Sequence, residues 1–147
     1  MPSISPDGLR FIRGWEGCRL TTYLDVAGKA TIGVGHLLRP GESFPTGITV
    51  AQADELLARD LAPVLAAIGR MGPQCAQREV DALASFAFNL GTGWLAKGSV
   101  RAAALSGKGM REALALFTKA GGRTIPGLVR RRAAEADLYE TGKVVLP

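Results

Sequence analysis

The stretch Glu16-Gly17-Cys18-Arg19-Leu20-Thr21-Thr22-Tyr23-Leu24-Asp25-Val26-Ala27-Gly28-Lys29-Ala30-Thr31-Ile32-Gly33-Val34-Gly35-His36 decides the reading of this chain. It carries two acids nine positions apart, a threonine six further on, and a glycine-spaced apolar segment closing on the one histidine. Two carboxyl groups facing one cleft are the minimum equipment for cutting a glycosidic bond. One gives a proton to the leaving oxygen, and the other activates water or attacks directly.

The flanks of this stretch give it local structure. Ser5-Pro6-Asp7 is a helix start: Ser can cap, Pro suits the first helical position, and Asp favours the positive dipole end. Leu9, Phe11, Ile12 and Trp15 recur at helical spacing, and Gly14 and Gly17 flank Glu16. The helix is therefore expected to end at Glu16, with Trp15 and Leu20 as an apolar wall that holds the acid protonated near neutral pH. Thr21 to Leu24 and Ala30 to Val34 are β-prone, and Val26-Ala27-Gly28-Lys29 reads as the turn of a small hairpin. Asp25 falls at that turn, where solvation favours its ionised form. Taken singly these residues are ordinary. Turns favour Asp, Thr31 is a common strand residue, and Gly33 and Gly35 fit a bend. The Gly-Val-Gly piece completes no phosphate-binding loop.

Beyond His36 the chain reads as helical. Pro40 to Gly47 is a loop rich in breakers. Thr49 with Gln52 makes a capping box. Ala53, Leu56, Leu57, Leu61, Val64, Leu65 and Ile68 continue a helical pattern up to Gly69–Pro73, and Pro63 should kink or break it. Gln77 to Leu90 places Val80, Leu83, Ala84, Ala87 and Leu90 on one face, with Gly91 as its C-cap. Short helices are expected around Ser99–Leu105 and Met110–Lys119. The run Gly121-Gly122-Arg123-Thr124-Ile125-Pro126-Gly127-Leu128-Val129-Arg130-Arg131-Arg132-Ala133-Ala134-Glu135 opens the last helix.

The complete ordered set resembles the active-site signature of the phage-type, T4-like lysozymes (glycoside hydrolase family 24). There the pattern is Glu, then Asp after eight intervening residues, then Thr after five, and this chain matches it without a gap. Ser85-Phe86-Ala87-Phe88-Asn89-Leu90-Gly91 and the Gly-Gly to Glu135 run resemble two further family segments. The likeness is densest at 16–36, 83–91 and 121–139. It implies an α+β, lysozyme-like fold, with a small β-hairpin lobe and a larger helical lobe joined by a long helix. The 147 residues would form one domain, with a catalytic lobe and connecting helix over about 1–70 and a helical lobe over about 71–147.

The same resemblance implies muramidase activity: hydrolysis of the β-1,4 bond between N-acetylmuramic acid and N-acetylglucosamine in peptidoglycan. Glu16 would be the general acid, Asp25 would activate water, and Thr31 would help hold it. An inverting route is implied, with the two carboxyl groups about 6.5–9.5 Å apart to admit a water. Leu37, Phe88 and Asn89 are candidate sugar contacts. Core packing for Phe88 and a plain polar helix end for Asn89 stand beside that role. His36 would pair structurally with Asp60. No metal is expected, because zinc needs three or four clustered ligands and this chain has one His and two distant Cys. No cofactor is implied.

Charge is unevenly spread. Residues 1–60 carry six Lys/Arg against seven Asp/Glu, and residues 61–147 carry twelve against six. A basic field favours polyanions. No nucleic-acid recognition motif accompanies it and aromatics are few, so an anionic cell wall is the better partner. Arg130-Arg131-Arg132 reads as a solvated helix face with one arginine structural. Cys18 and Cys75 form no CxxC, and two free thiols are expected. Residues 1–8 show no signal-peptide pattern, and no run of 18 apolar residues occurs. The expectation is a monomer without membrane insertion, held in the host cytoplasm until a holin admits it to the wall.

Three rivals remain. A lytic transglycosylase would cut the same bond but has no use for the Asp25–Thr31 pair. A non-catalytic wall-binding module has no use for two acids in unlike settings. A cysteine hydrolase would need Cys18 and His36 together, with nothing else to complete the site.

Overall fold

The computed structural model describes residues 2–72 and 76–147. The first helix, α1 (Pro6–Glu16), starts as its sequence dictates. The Ser5 hydroxyl accepts the Gly8 N–H at 3.0 Å, and Pro6 occupies the first turn. Phe11 and Ile12 face inward and are fully buried. Gly17 ends the helix at φ +83°, a value that favours glycine, and its N–H returns to the Arg13 carbonyl at 2.9 Å. Glu16 is thus the last helical residue.

Three strands follow: β1 (Arg19–Leu24), β2 (Ala30–Gly33) and β3 (His36–Leu37). They form one antiparallel sheet in the order β1-β2-β3. The expected hairpin is there, extended by β3, a strand of two residues too short to show alternation. Arg19 opposes Gly33 and Tyr23 opposes Thr31, so four steps on β1 match two on β2. Such a bulge bends its strand.

The connecting helix is two helices, α2 (Val50–Asp60) and α3 (Ala62–Arg70). Thr49 and Gln52 form the reciprocal capping box. The pattern is interrupted at Leu61, two residues before Pro63, whose missing N–H removes a rung of the ladder. Pro73 and Cys75 lie outside the described residues, and the pairing of Cys75 with them.

The helical part comprises α4 (Gln77–Leu90), α5 (Gly93–Ala96), α6 (Ser99–Ser106), α7 (Met110–Leu114) and α8 (Pro126–Thr141). Between α7 and α8 runs a second small hairpin, β4 (Lys119–Ala120) with β5 (Arg123–Thr124). The helix expected over Met110–Lys119 therefore stops at Leu114. Two forces divert the chain. Phe117 turns edge-on against Phe86 at 5.0 Å and against Trp94 at 4.9 Å. Gly121 and Gly122 then adopt φ +59° and +77°, the pairing a tight hairpin turn needs.

Helix α4 is buried on every side from Val80 to Ala87, not on the one face its pattern offered. Its polar members are each matched. Asp81 accepts from Ser5 and Gln77, and Ser85 donates to Glu135. Around α4 gathers the larger core, which includes Phe11, Ile12, Leu57, Leu61, Leu83, Phe86 and Leu138. A smaller core of Ile32, Ile48, Ala53 and Leu56 lies under the sheet. Cys18 packs half-buried against both.

Candidate active site

Asp25 directly follows β1 and is held by its own turn. Its Oδ1 accepts the Ala27 N–H at 2.9 Å and the Lys29 N–H at 2.8 Å. Its backbone N–H donates to the Lys29 carbonyl at 2.9 Å. Thr31, two residues further and 2% exposed, donates its hydroxyl to that same carbonyl at 2.9 Å. The main chain of Lys29 thus fixes both side chains. Among the described residues Oδ2 of Asp25 has no partner. Thr31 has spent its proton, so its oxygen is left as an acceptor.

Glu16 is placed differently. Its carboxylate meets the Arg131 guanidinium of α8 at 2.7 Å, with a quarter of the side chain exposed. The apolar wall was expected from Trp15 and Leu20. Trp15 turns into the larger core and donates its indole N–H to the Val145 carbonyl at 2.9 Å. Leu20 stays exposed on β1. The partner Glu16 has is a cation from the far end of the chain.

Arg131 belongs to a buried cluster. Glu135 lies 3.4 Å from Arg131 Nε and 3.0 Å from Arg132 Nε, and it is wholly buried. These two contacts are ionic, off the line of a hydrogen bond. The Ser85 hydroxyl donates to Glu135 at 2.6 Å and also meets Arg131 Nη2 at 3.2 Å. Burial pushes the Glu135 carboxyl up, against the pull of Arg132, Ser85 and Arg131. Burial likewise pulls the Arg132 guanidinium down. The run Arg130–Arg132 is therefore no solvated face. Only Arg130 is exposed, and the other two are consumed by acids. The sequence signal was present in Glu135, which stands four residues after Arg131 and three after Arg132.

His36 is buried between two carboxylates. Nδ1 lies 2.7 Å from Asp60 and Nε2 lies 2.9 Å from Glu42. Glu42 is the partner the sequence did not disclose. It is presented by a turn in which it accepts the Arg39 N–H at 2.7 Å. Burial alone pushes the imidazole down, but Glu42 and Asp60 together outweigh it and leave His36 raised. The Arg39 N–H and His36 in turn lower Glu42. With both ring nitrogens occupied, His36 has none to spare for the Cys18 thiol, a free thiol that burial pushes up. Such a thiol is a poor nucleophile.

The remaining candidates divide. Leu37 is 47% exposed on the edge strand, opposite Thr31 in register. Phe88 is half-buried and packs on the larger core. Asn89 accepts Arg132 Nη2 on its side-chain oxygen, so its amide N–H groups are what it can offer a ligand. No trio of His, Cys, Asp or Glu able to hold a metal occurs among the described residues. No described helix is long and apolar enough to cross a membrane.

Comparison with known proteins agrees with this architecture. The endolysin of Lactococcus phage c2 is 38% identical over 142 residues, 92% of this chain. The chain spans 59% of that endolysin's length. A solved variant of the Salmonella phage P22 lysozyme superposes with a TM-score of 0.85 at 33% identity, covering 95% of this chain and 99% of that one. The muramidase domain of SpmX from Asticaccaulis excentricus superposes with a TM-score of 0.81 at 29% identity, covering 96% and 99%. The profile of the family described as phage lysozyme matches residues 13–135, which takes in both acids, Thr31, His36 and the whole Arg131 cluster. The chain belongs to the phage lysozyme family.

Proposed function

We propose that this chain is a muramidase. It hydrolyses the β-1,4 bond between N-acetylmuramic acid and N-acetylglucosamine in peptidoglycan, and it serves host-cell lysis. The observation that carries the mechanism is the Lys29 main chain, which fixes Asp25 and Thr31 together. A water that donates one proton to Asp25 Oδ2 and the other to Thr31 Oγ1 has its lone pair left for attack. Glu16, accessible at the end of α1, gives its proton to the leaving oxygen. Attack by a held water on the face opposite the leaving group inverts the anomeric carbon. Leu37 and Phe88 offer apolar contact to the sugars, and Asn89 offers its N–H groups to an acetamido oxygen.

Residues 1–147 act as one unit, with the sheet and its small core on one side of the cleft and the larger helical core on the other. The protein works as a monomer without a metal or cofactor. It reaches the wall from the host cytoplasm through a holin. Lys119, Arg123 and Arg130 are exposed and suit an anionic wall.

Mass spectrometry of the products tests the reaction type. Reducing sugar ends are expected. Anhydro ends would make the chain a lytic transglycosylase, and no cleavage at all would leave a wall-binding module.

A further inference from the structure

Glu16 must hold a proton to act as an acid, yet its partner in the structure is a cation. Arg131 Nη1 lies 2.7 Å from the Glu16 carboxyl, which has no other partner among the described residues. The structure answers with a second carboxylate behind that cation.

Glu135 is 0% exposed and approaches both Arg131 and Arg132. The charged groups around this point are few. Helix α1 contributes Glu16, and α8 contributes Arg131, Arg132 and Glu135. Helix α4 contributes the neutral Ser85 and Asn89, while its Asp81 is spent on Ser5 and Gln77. Arg111 of α7 is taken up by Asp137 and Glu140, outside the cluster. Two permanent cations thus face two carboxyl groups. A neutral group at 135 would leave two adjacent buried cations sharing Glu16 alone, a costly arrangement.

We propose that Glu135 is a positioning residue for the reaction: its buried carboxylate offsets the charge of Arg131 and, with Ser85, turns Arg131 so that Nη1 meets Glu16. Glu135 touches no sugar, because nothing of it reaches the surface. It acts through Arg131, by tempering the field at the acid and fixing its rotamer. The inference rests on the reading of Glu16 as the general acid.

The test is steady-state kinetics on a short soluble peptidoglycan glycan across pH, with melting temperatures measured in parallel. Glu135→Gln keeps the shape and removes the charge. Arg131 then faces Glu16 with its charge unopposed. We expect kcat to fall about tenfold or more with KM within about twofold, since only a transition-state contribution is lost. The alkaline fall-off of activity should move to lower pH. Ser85→Ala, which frees one oxygen of Glu135 and one arm of Arg131, should shift it the same way by less. A folded Glu135→Gln with wild-type kcat and an unmoved pH profile, changed only in melting temperature, overturns the proposal. If that variant does not fold, an unmoved profile in Ser85→Ala overturns it. Glu16→Gln is the separate control: full activity there would sink the general-acid reading itself, whatever position 135 does.

Discussion

Asp25 and Glu16, the two acids of the proposed mechanism, are held by opposite means. Asp25 is fixed by main-chain groups two and four residues away, inside one turn. Glu16 is fixed by a side chain 115 positions later, at the end of a chain of buried charges. The first site draws its contacts from within one hairpin. The second exists only when α1, α4 and α8 have packed together. A local arrangement is robust to distant change, whereas an assembled one transmits every change in its supports.

The largest break in this comparison comes at the assembled side. Glu16→Gln should cost about three orders of magnitude in wall lysis with the fold intact, as general acid help is worth roughly 10²–10⁴-fold. Zymograms with matched melting curves check it, and a folded variant keeping a tenth of the activity would remove Glu16 from the mechanism.

The local side gives the next effect. Thr31→Val keeps shape but loses the hydroxyl that meets both Lys29 and the proposed water. A drop of about ten- to a hundredfold in kcat, with a modest change in KM, is expected from one lost transition-state contact. NMR of the first-released anomer sharpens the point. An α product from the β-linked substrate supports the held water, and an initially β product rules out inversion and Thr31's role with it.

His36→Asn tests a region that belongs to neither side. Its folded value is raised, so the pairing with Asp60 and Glu42 contributes in full below the unfolded value near 6.5. That contribution fades as pH climbs through the higher folded value. The melting-temperature gap between wild type and variant should therefore be widest in mildly acidic buffer and narrow above neutrality. A gap constant with pH would mean the imidazole charge is not involved.

The smallest effect concerns the surface. Neutralising Arg123 and Arg130 should flatten the salt dependence of lysis, because exposed charges are screened within roughly 8 Å at physiological ionic strength. A salt profile identical to wild type would assign those charges to another purpose.

The same contrast explains what could be read from the sequence. The helix start at Ser5, the capping box at Thr49 and the turn after Asp25 are local, and each was legible from residue types and spacing. Pro63 announced the break between α2 and α3, because a missing N–H acts wherever it stands. The setting of Glu16 was not legible. Hydrophobic neighbours in sequence, Trp15 and Leu20, say nothing about what packs opposite a helix end. Arg131 and Arg132 looked like surface because charge ordinarily is, and the helical spacing to Glu135 was the one local sign that they are buried. Strands β3 to β5, at two residues each, are too short to carry a period and exist because neighbouring turns set them side by side.

Lys29 leaves a last consequence. Its amide and carbonyl anchor both Asp25 and Thr31, while its exposed side chain takes no part in either contact. Position 29 should therefore tolerate almost any replacement that keeps an N–H, and proline alone removes the donor outright. A substitution scan would find it permissive and pass over it. What the site requires there is written in atoms that nineteen of the twenty amino acids share.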